Sequence, residues 1–298
     1  MAGIIFLIIA TICAAMFSIL FKIFQRRGID SHQAIFFNYL TAFLLGVLFS
    51  LHGEMVVNPV RASWFPAVII LGFIFMAGMI LLSDSTRRVG VAISTVCSRA
   101  SMMIPIIVSY LAIEGSAKPK WLPICMLLIA MSLTVWTGRP KDGRQYSARD
   151  IVAPLIVFIT FGLSNSFLKV IQHRITVADA ALPEQTLNSE LSLVTATIFF
   201  IAMLLSLHSF FKRGTDGKRF SFKNILGGVA LGLANYFCTY TLMLSMKYID
   251  SSILFPFHNI GIVAIGTLVG CIAFKEKLRP HQVLGIVLAA VSITLLCI

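Results

Sequence analysis

Charge is what this sequence has least of. Only 12% of its residues are Asp, Glu, Lys or Arg, and 58% are hydrophobic. A soluble domain carries about 25% charged residues. No core of a 298-residue globule could hide that deficit, so the expected surround is lipid. Acidic residues are the scarcer sign, 12 against 24 basic, for a net charge of +12. The basic residues lie between apolar runs and form no continuous basic face. Nucleic acid is therefore not an expected partner. Loop charges that orient helices in a membrane account for the excess.

C-x-x-C pairs are also missing. Cys13, Cys97, Cys125, Cys238, Cys271 and Cys297 all sit in apolar runs, which speaks against a metal site or a disulfide framework. There is no glycine-rich phosphate loop, no H-E-x-x-H and no G-x-S-x-G. Catalytic residues, cofactors and metal ligands are thus not expected, and the chain is not read as an enzyme. The opening run MAGIIFLIIATICAAMFSIL lacks the basic start of a signal peptide, and similar runs follow it. We read it as a retained first span.

What the chain does have is long apolar runs. A membrane-crossing helix needs about 20 such residues. Ten are expected, at 3–24, 32–52, 64–86, 90–113, 120–138, 150–171, 187–211, 222–246, 250–273 and 280–298. The runs are continuous rather than alternating, which favours helices over a barrel. The expected fold is an all-α polytopic membrane protein of ten transmembrane helices. Gly72, Gly78, Gly227, Gly228, Gly232, Gly261, Gly266 and Gly270 suit close helix packing. Sixteen Lys and Arg fall in the odd-numbered loops and five in the even ones. That asymmetry puts the odd loops in the cytoplasm and both termini outside.

The chain also repeats itself. FSILFKIFQRR (17–27) lies over SNSFLKVIQHR (164–174), setting Lys22 on Lys169 and Gln25 on Gln172. VAISTVCSR (91–99) lies over SSILFPFHN (251–259), each about one helix before a glutamate, Glu114 or Glu276. The expected organisation is a five-helix repeat at 1–138, a polar linker at 139–149 and a second five-helix repeat at 150–298. Five is odd, so the second copy crosses the membrane in the opposite sense. Such inverted repeats recur in secondary transporters, where each half can open to the side the other closes.

IGTLVGCIAFKEKLRPHQVLGIVLAAVSITLL (265–296) and SRASMMIPIIVSYLAIEG (98–115) resemble the paired helix endings of EamA-type permeases, in the drug/metabolite transporter superfamily. The chain departs from that pattern at Glu114-Gly115-Ser116, where Glu-Lys/Arg-Leu is usual. The resemblance implies a transporter, more in keeping with an exporter than an importer, in a bacterial inner membrane. It also implies cytoplasmic termini, against the charge count.

Ionisable groups inside spans are the candidate site residues. Arg99 lies deep in the fourth span and offers a planar fork to a carboxylate or phosphate. The alternative is a structural pair with Asp84 or Glu190. Ser98 shares its neighbourhood, and Pro105 is expected to leave the Ser101 carbonyl without a helix donor. His258 and Asn259 align with Ser98 and Arg99, and His258 is a candidate for a coupling proton. Asn235, Tyr236 and Tyr240 form a polar-aromatic wall that suits a small organic solute or plain packing. Asn165 lies one turn before Lys169. Lys22 and Lys169 are candidate gate or access residues, or they snorkel to the headgroups. Asn38, Thr41, Ser164 and Ser166 fit interhelical hydrogen bonding. Glu114 and Glu276 fit structural turns.

The function expected is secondary active transport of a small organic metabolite, amino-acid-like or anionic. Expected partners are that small-molecule substrate, protons as coupling ion and the lipid bilayer, with the chain a monomer or homodimer. A flippase of a lipid-linked substrate is the alternative on the same fold. An integral-membrane enzyme is the second.

Overall fold

A computed structural model describes residues 1–51, 62–89, 91–113, 118–135, 147–178, 183–214, 221–274 and 280–297. Among these residues the secondary structure is helical, without strands: α1 Ala2–Arg27, α2 Ser31–Ser50, α3 Phe65–Val89, α4 Val91–Ala100, α5 Met103–Ala112, α6 Trp121–Val135, α7 Ala148–Ala178, α8 Glu184–Gly214, α9 Phe222–Ser245, α10 Ser251–Phe274 and α11 Pro280–Cys297. Among the described residues, eight stretches are long and apolar enough to cross a membrane, one of them the joined α4 and α5. Trp121–Leu133 and Pro280–Ser292 are apolar but shorter. Leu111, Leu122, Phe222 and Ile272 are 71 to 75% exposed. Large apolar side chains displayed this openly are at home against lipid tails.

Two boundaries differ from the sequence reading. The fourth span is two helices, interrupted at Ser101 and Met102. The sixth runs to Ala178, because the polar residues after Lys169 stay inside the helix: Gln172 donates to the Thr176 hydroxyl at 2.8 Å, and that hydroxyl donates back to the Gln172 carbonyl at 3.0 Å. Lys169 therefore lies within its helix rather than at its end.

Local chemistry sets several other helix ends. Gly28 closes α1 in the left-handed region, φ 65°, with its N–H on the Phe24 carbonyl. Ser147 and Asp150 open α7 reciprocally. The Asp150 carboxylate accepts the Ser147 N–H at 3.0 Å, and the Asp150 N–H returns to the Ser147 carbonyl at 3.0 Å.

The helices gather into two compact units. The first holds Met1–Met76 and Phe167–Ile249; the second holds Ala77–Ser166 and Asp250–Ile298. Each unit draws on both halves of the sequence, and α3 and α7 each run from one unit into the other.

In the first unit α1 lies antiparallel to α9, with Gly3 beside Tyr248 and Gly227 beside Phe24. Helix α2 packs against both α8 and α9. Its approach to α9 is parallel and close at both Gly228, beside Ala34 and Phe37, and Gly232, where a Cβ would sit 2.6 Å from the Asn38 carbonyl oxygen. Its approach to α8 brings Gly46 onto Ala196. The N-terminal part of α3 meets α8 at Gly72, beside Ile198 and Ile201. Tyr39, Ala42, Met76, Phe199, Ala202 and Tyr236 form a buried cluster at the heart of this unit. In the second unit α6 packs along α11 and against α4 and α10, and α10 also meets α5 and α11. Gly162 of α7 is pressed against Ile104 of α5.

Candidate functional site

The broken fourth span is the most irregular stretch of helix in the second unit. Pro105 has no N–H, but it stands in the first turn of α5, where an N–H would lack an intrahelical partner anyway. The chain makes up the join with tighter turns. Met102 N–H reaches the Arg99 carbonyl at 3.2 Å, and Ile104 N–H reaches the Ser101 carbonyl at 3.0 Å. The expectation of a donorless Ser101 carbonyl is thus corrected, because the 3₁₀-like turn supplies the missing donor. The hydroxyls are occupied as well. Ser101 donates to the Ser98 carbonyl at 2.6 Å and Ser98 to the Thr95 carbonyl at 2.9 Å. Short polar side chains bonding back to the helix in this way ease its interruption.

Arg99 occupies the last turn of α4 and is half-buried. A cation there is favoured by the helix dipole. His258, on α10, is 7% exposed and within electrostatic reach of Arg99. Asn259 is buried beside it in sequence, and its amide donates to the Phe255 carbonyl at 2.9 Å. Helix α10 continues through Pro256 without a break. Asn165 is half-buried on α7 in the same unit. Of the anticipated partners of Arg99, Asp84 binds Arg88 at 2.6 Å and Glu190 accepts the Trp64 indole N–H at 2.6 Å.

The first unit holds the other candidates. Asn235 donates to the Asn38 side-chain oxygen at 3.1 Å. The Ser192 hydroxyl sits 2.9 Å from the Gly46 carbonyl and 2.7 Å from the Tyr236 hydroxyl. A carbonyl can only accept, so Ser192 donates to Gly46 and Tyr236 donates to Ser192. Tyr236 is fully buried and stacks on Tyr240 with centroids 5.5 Å apart. Tyr240, half-buried, donates to the Asn188 carbonyl at 3.3 Å. This group ties α2, α8 and α9 together.

Lys169 is 8% exposed, so it does not snorkel. Its ammonium donates to the Met246 carbonyl at 2.9 Å and to Gln172 at 3.3 Å. Met246 caps α9, so the charge sits at the negative end of that helix. The side chains of Lys22 and Gln25, and residues Glu114 and Glu276, lie outside what the structure describes.

The sequence reading missed the Trp64–Glu190 pair. It offered Glu190 only as a structural partner for Arg99.

The EamA-like transporter family matches residues 1–138. A Haemophilus influenzae protein described as uncharacterised is 25% identical over 298 aligned residues, 96% of this chain and 95% of the relative. A protein of known crystal structure aligns with a TM-score of 0.64 at 14% identity, over 98% of this chain and 95% of that one. That likeness concerns the fold alone. The EamA resemblance read from the sequence is borne out by the family match. Residues 1–138 match the EamA-like transporter family, consistent with the drug/metabolite transporter superfamily, and with its long apolar helices the chain is an integral membrane protein.

Proposed function

We propose that this chain is a secondary active transporter of a small organic solute with an anionic or amino-acid-like group. The observation that carries the reading is Arg99 within electrostatic reach of the buried His258, both in spanning helices of the second unit. A charged side chain at the centre of a spanning helix costs about 2.5–3.5 kcal/mol or more. Arg99 stays charged at any working pH. Its planar fork suits a carboxylate, and His258 is a second polar group within electrostatic reach of it. In the first unit Asn235 and Tyr236 act as braces between helices.

The helix pairings support an inverted repeat of 1–138 and 150–298. Exchanging the two copies maps α2 onto α8 and α3 onto α9. That exchange turns the parallel α2–α9 contact into the parallel α3–α8 contact. Alternating access of the two copies follows from such a plan. Export, rather than import, rests on the family resemblance. A bacterial inner membrane is supported by the bacterial source of the relative.

The test is a thermal-shift panel of amino acids and dicarboxylates on purified protein, followed by uptake of any hit into liposomes. Arg99→Ala is expected to abolish the shift and to cut uptake at least about tenfold, equivalent to about 1.4 kcal/mol. Arg99→Lys restores the charge but not the fork, so it recovers only part. Unchanged affinity in a folded Arg99→Ala protein would sink the anion-site reading.

A further inference from the structure

The seam between α1 and α9 carries two cations that the reading above leaves unused. Arg27 closes α1, and Lys223 stands in the first turn of α9. Both are exposed, and both belong to the first unit. Among the described residues, no ion pair or side-chain hydrogen bond occupies either of them.

The two cations lie at one depth. Gly227 of α9 packs beside Phe24 of α1, where a Cβ would come 3.0 Å from the Phe24 ring. The helices are antiparallel, so three residues beyond Phe24 and four before Gly227 lead the same way along the seam, by about 4.5 and about 6 Å. The candidate span of α1 ends at Phe21, and that of α9 begins at Phe222. Arg27 and Lys223 therefore sit at the edge of the hydrocarbon, where lipid headgroups lie.

They also share one side of the seam. At about 100° per residue, Arg27 is about 60° round α1 from Phe24, and Lys223 about 40° round α9 from Gly227. Both steps have the same sense. In an antiparallel pair of right-handed helices, steps of the same sense from the contact line lead to the same side. That side is open: Ile12 and Met16 of α1 and Phe222 and Leu226 of α9 are exposed along it. Ile23 and Ala230, half-buried, carry it inward from the two cations.

The neighbouring charges are turned elsewhere. Among the described residues, Asp30 is the carboxylate at this end of the unit. Its N–H donates to the Asn224 side-chain oxygen at 3.1 Å, and its carboxylate accepts the Gln33 N–H at 3.4 Å. Asn224 lies about 100° round α9 from Lys223, on the far side of Gly227. Arg26, about 160° round α1 from Phe24, faces away from α9.

Two cations at headgroup depth, beside an apolar groove and with no carboxylate on their side, fit a phosphodiester whose acyl chain runs down the groove. Arginine offers the phosphate a planar fork and lysine a compact charge. A zwitterionic headgroup brings a cation of its own, which these two repel. We infer that the α1–α9 seam binds an anionic phospholipid, with its phosphate between Arg27 and Lys223. No covalent bond is made or broken, and the site does not depend on what the chain transports.

Native mass spectrometry tests this on the whole chain, released from detergent micelles doped with equal amounts of phosphatidylglycerol and phosphatidylcholine of the same acyl chains. A cation near the headgroups is worth about fivefold in binding, so phosphatidylglycerol is expected to be retained over phosphatidylcholine by roughly 25-fold. Arg27→Gln combined with Lys223→Gln is expected to cut that ratio at least about tenfold. Arg27→Lys combined with Lys223→Arg keeps both charges and is expected to keep most of it. Lys118→Gln combined with Lys120→Gln removes the same charge from the second unit and is expected to leave the ratio unchanged.

A parent ratio near one overturns the site, and so does a ratio that the two glutamines at 27 and 223 leave unchanged. An equal fall on changing Lys118 and Lys120 would mean that net charge, not this seam, holds the lipid, and overturns it too. Glycerol phosphate, a headgroup without tails, is expected not to displace the lipid at equal concentration. Displacement would make the seam an ion site and overturn the lipid assignment. Without any substitution, raising salt from about 0.05 to about 0.5 M is expected to erase the preference. A preference indifferent to salt overturns the charge pairing.

Discussion

At the scale of single residues, buried polar groups in this chain hold partners on other helices, and their worth depends on what is stranded when one is cut. Removing the Tyr236 hydroxyl leaves Ser192 still donating to Gly46, so Tyr236→Phe is expected to cost about 1 kcal/mol. Asn235→Leu takes away the partner of the Asn38 side-chain oxygen in a fully buried site. Its cost is expected to be larger, about 1–3 kcal/mol. Unfolding midpoints of both variants in one detergent check the order; equal losses would mean Asn38 finds another partner. Some of this was legible in advance. Asn38 was read as interhelical glue, and the repeat alignment put His258 and Asn259 at the positions of Ser98 and Arg99. Glu190 was offered only as a structural partner for Arg99, because nothing near it in sequence points to Trp64. Only the chain path that brings Trp64 to it, 126 residues away, reveals its burial. Lys169 misled for the opposite reason. It was read as the end of a span, whereas hydrogen bonds between polar neighbours carry the helix nine residues further.

At the scale of elements, long continuous apolar runs pointed to the helices, but only geometry distinguishes one glycine from another. Gly232 lies where a Cβ would be 2.6 Å from both the Asn38 carbonyl oxygen and the Thr41 Cβ. Gly266 on α10 would meet nothing within 4 Å. Gly232→Leu is therefore expected to push α2 and α9 apart at a cost of about 1–3 kcal/mol. Gly266→Ala is expected to be neutral or to gain up to about 1 kcal/mol from helix propensity. Thermal midpoints that move in the same direction would contradict this difference. The interruption at Ser101 and Met102 was half legible. Pro105 pointed to it, but the turn that satisfies the Ser101 carbonyl cannot be read from residue types, because it depends on where the next helix restarts.

At the scale of the whole molecule, the helical character and the apolar runs follow directly from composition. The make-up of the compact units does not, because it depends on which distant helices meet. Neither unit is a contiguous piece of chain: the first needs residues as late as Ile249, and the second takes in Asp250–Ile298. This has a consequence for synthesis. When residue 138 has left the ribosome, the chain holds the opening part of both units and all of neither. Early helices must wait in the bilayer with faces uncovered until their later partners are made. Residues 1–138 expressed alone are expected to be degraded, and co-expression with 139–298 is expected to protect them. Western blotting of the two fragments, singly and together, checks this. A long-lived solitary first fragment would mean that its helices find a stable arrangement without the second half. Pausing of translation after residue 138 should therefore expose the nascent protein to membrane quality control for as long as the pause lasts.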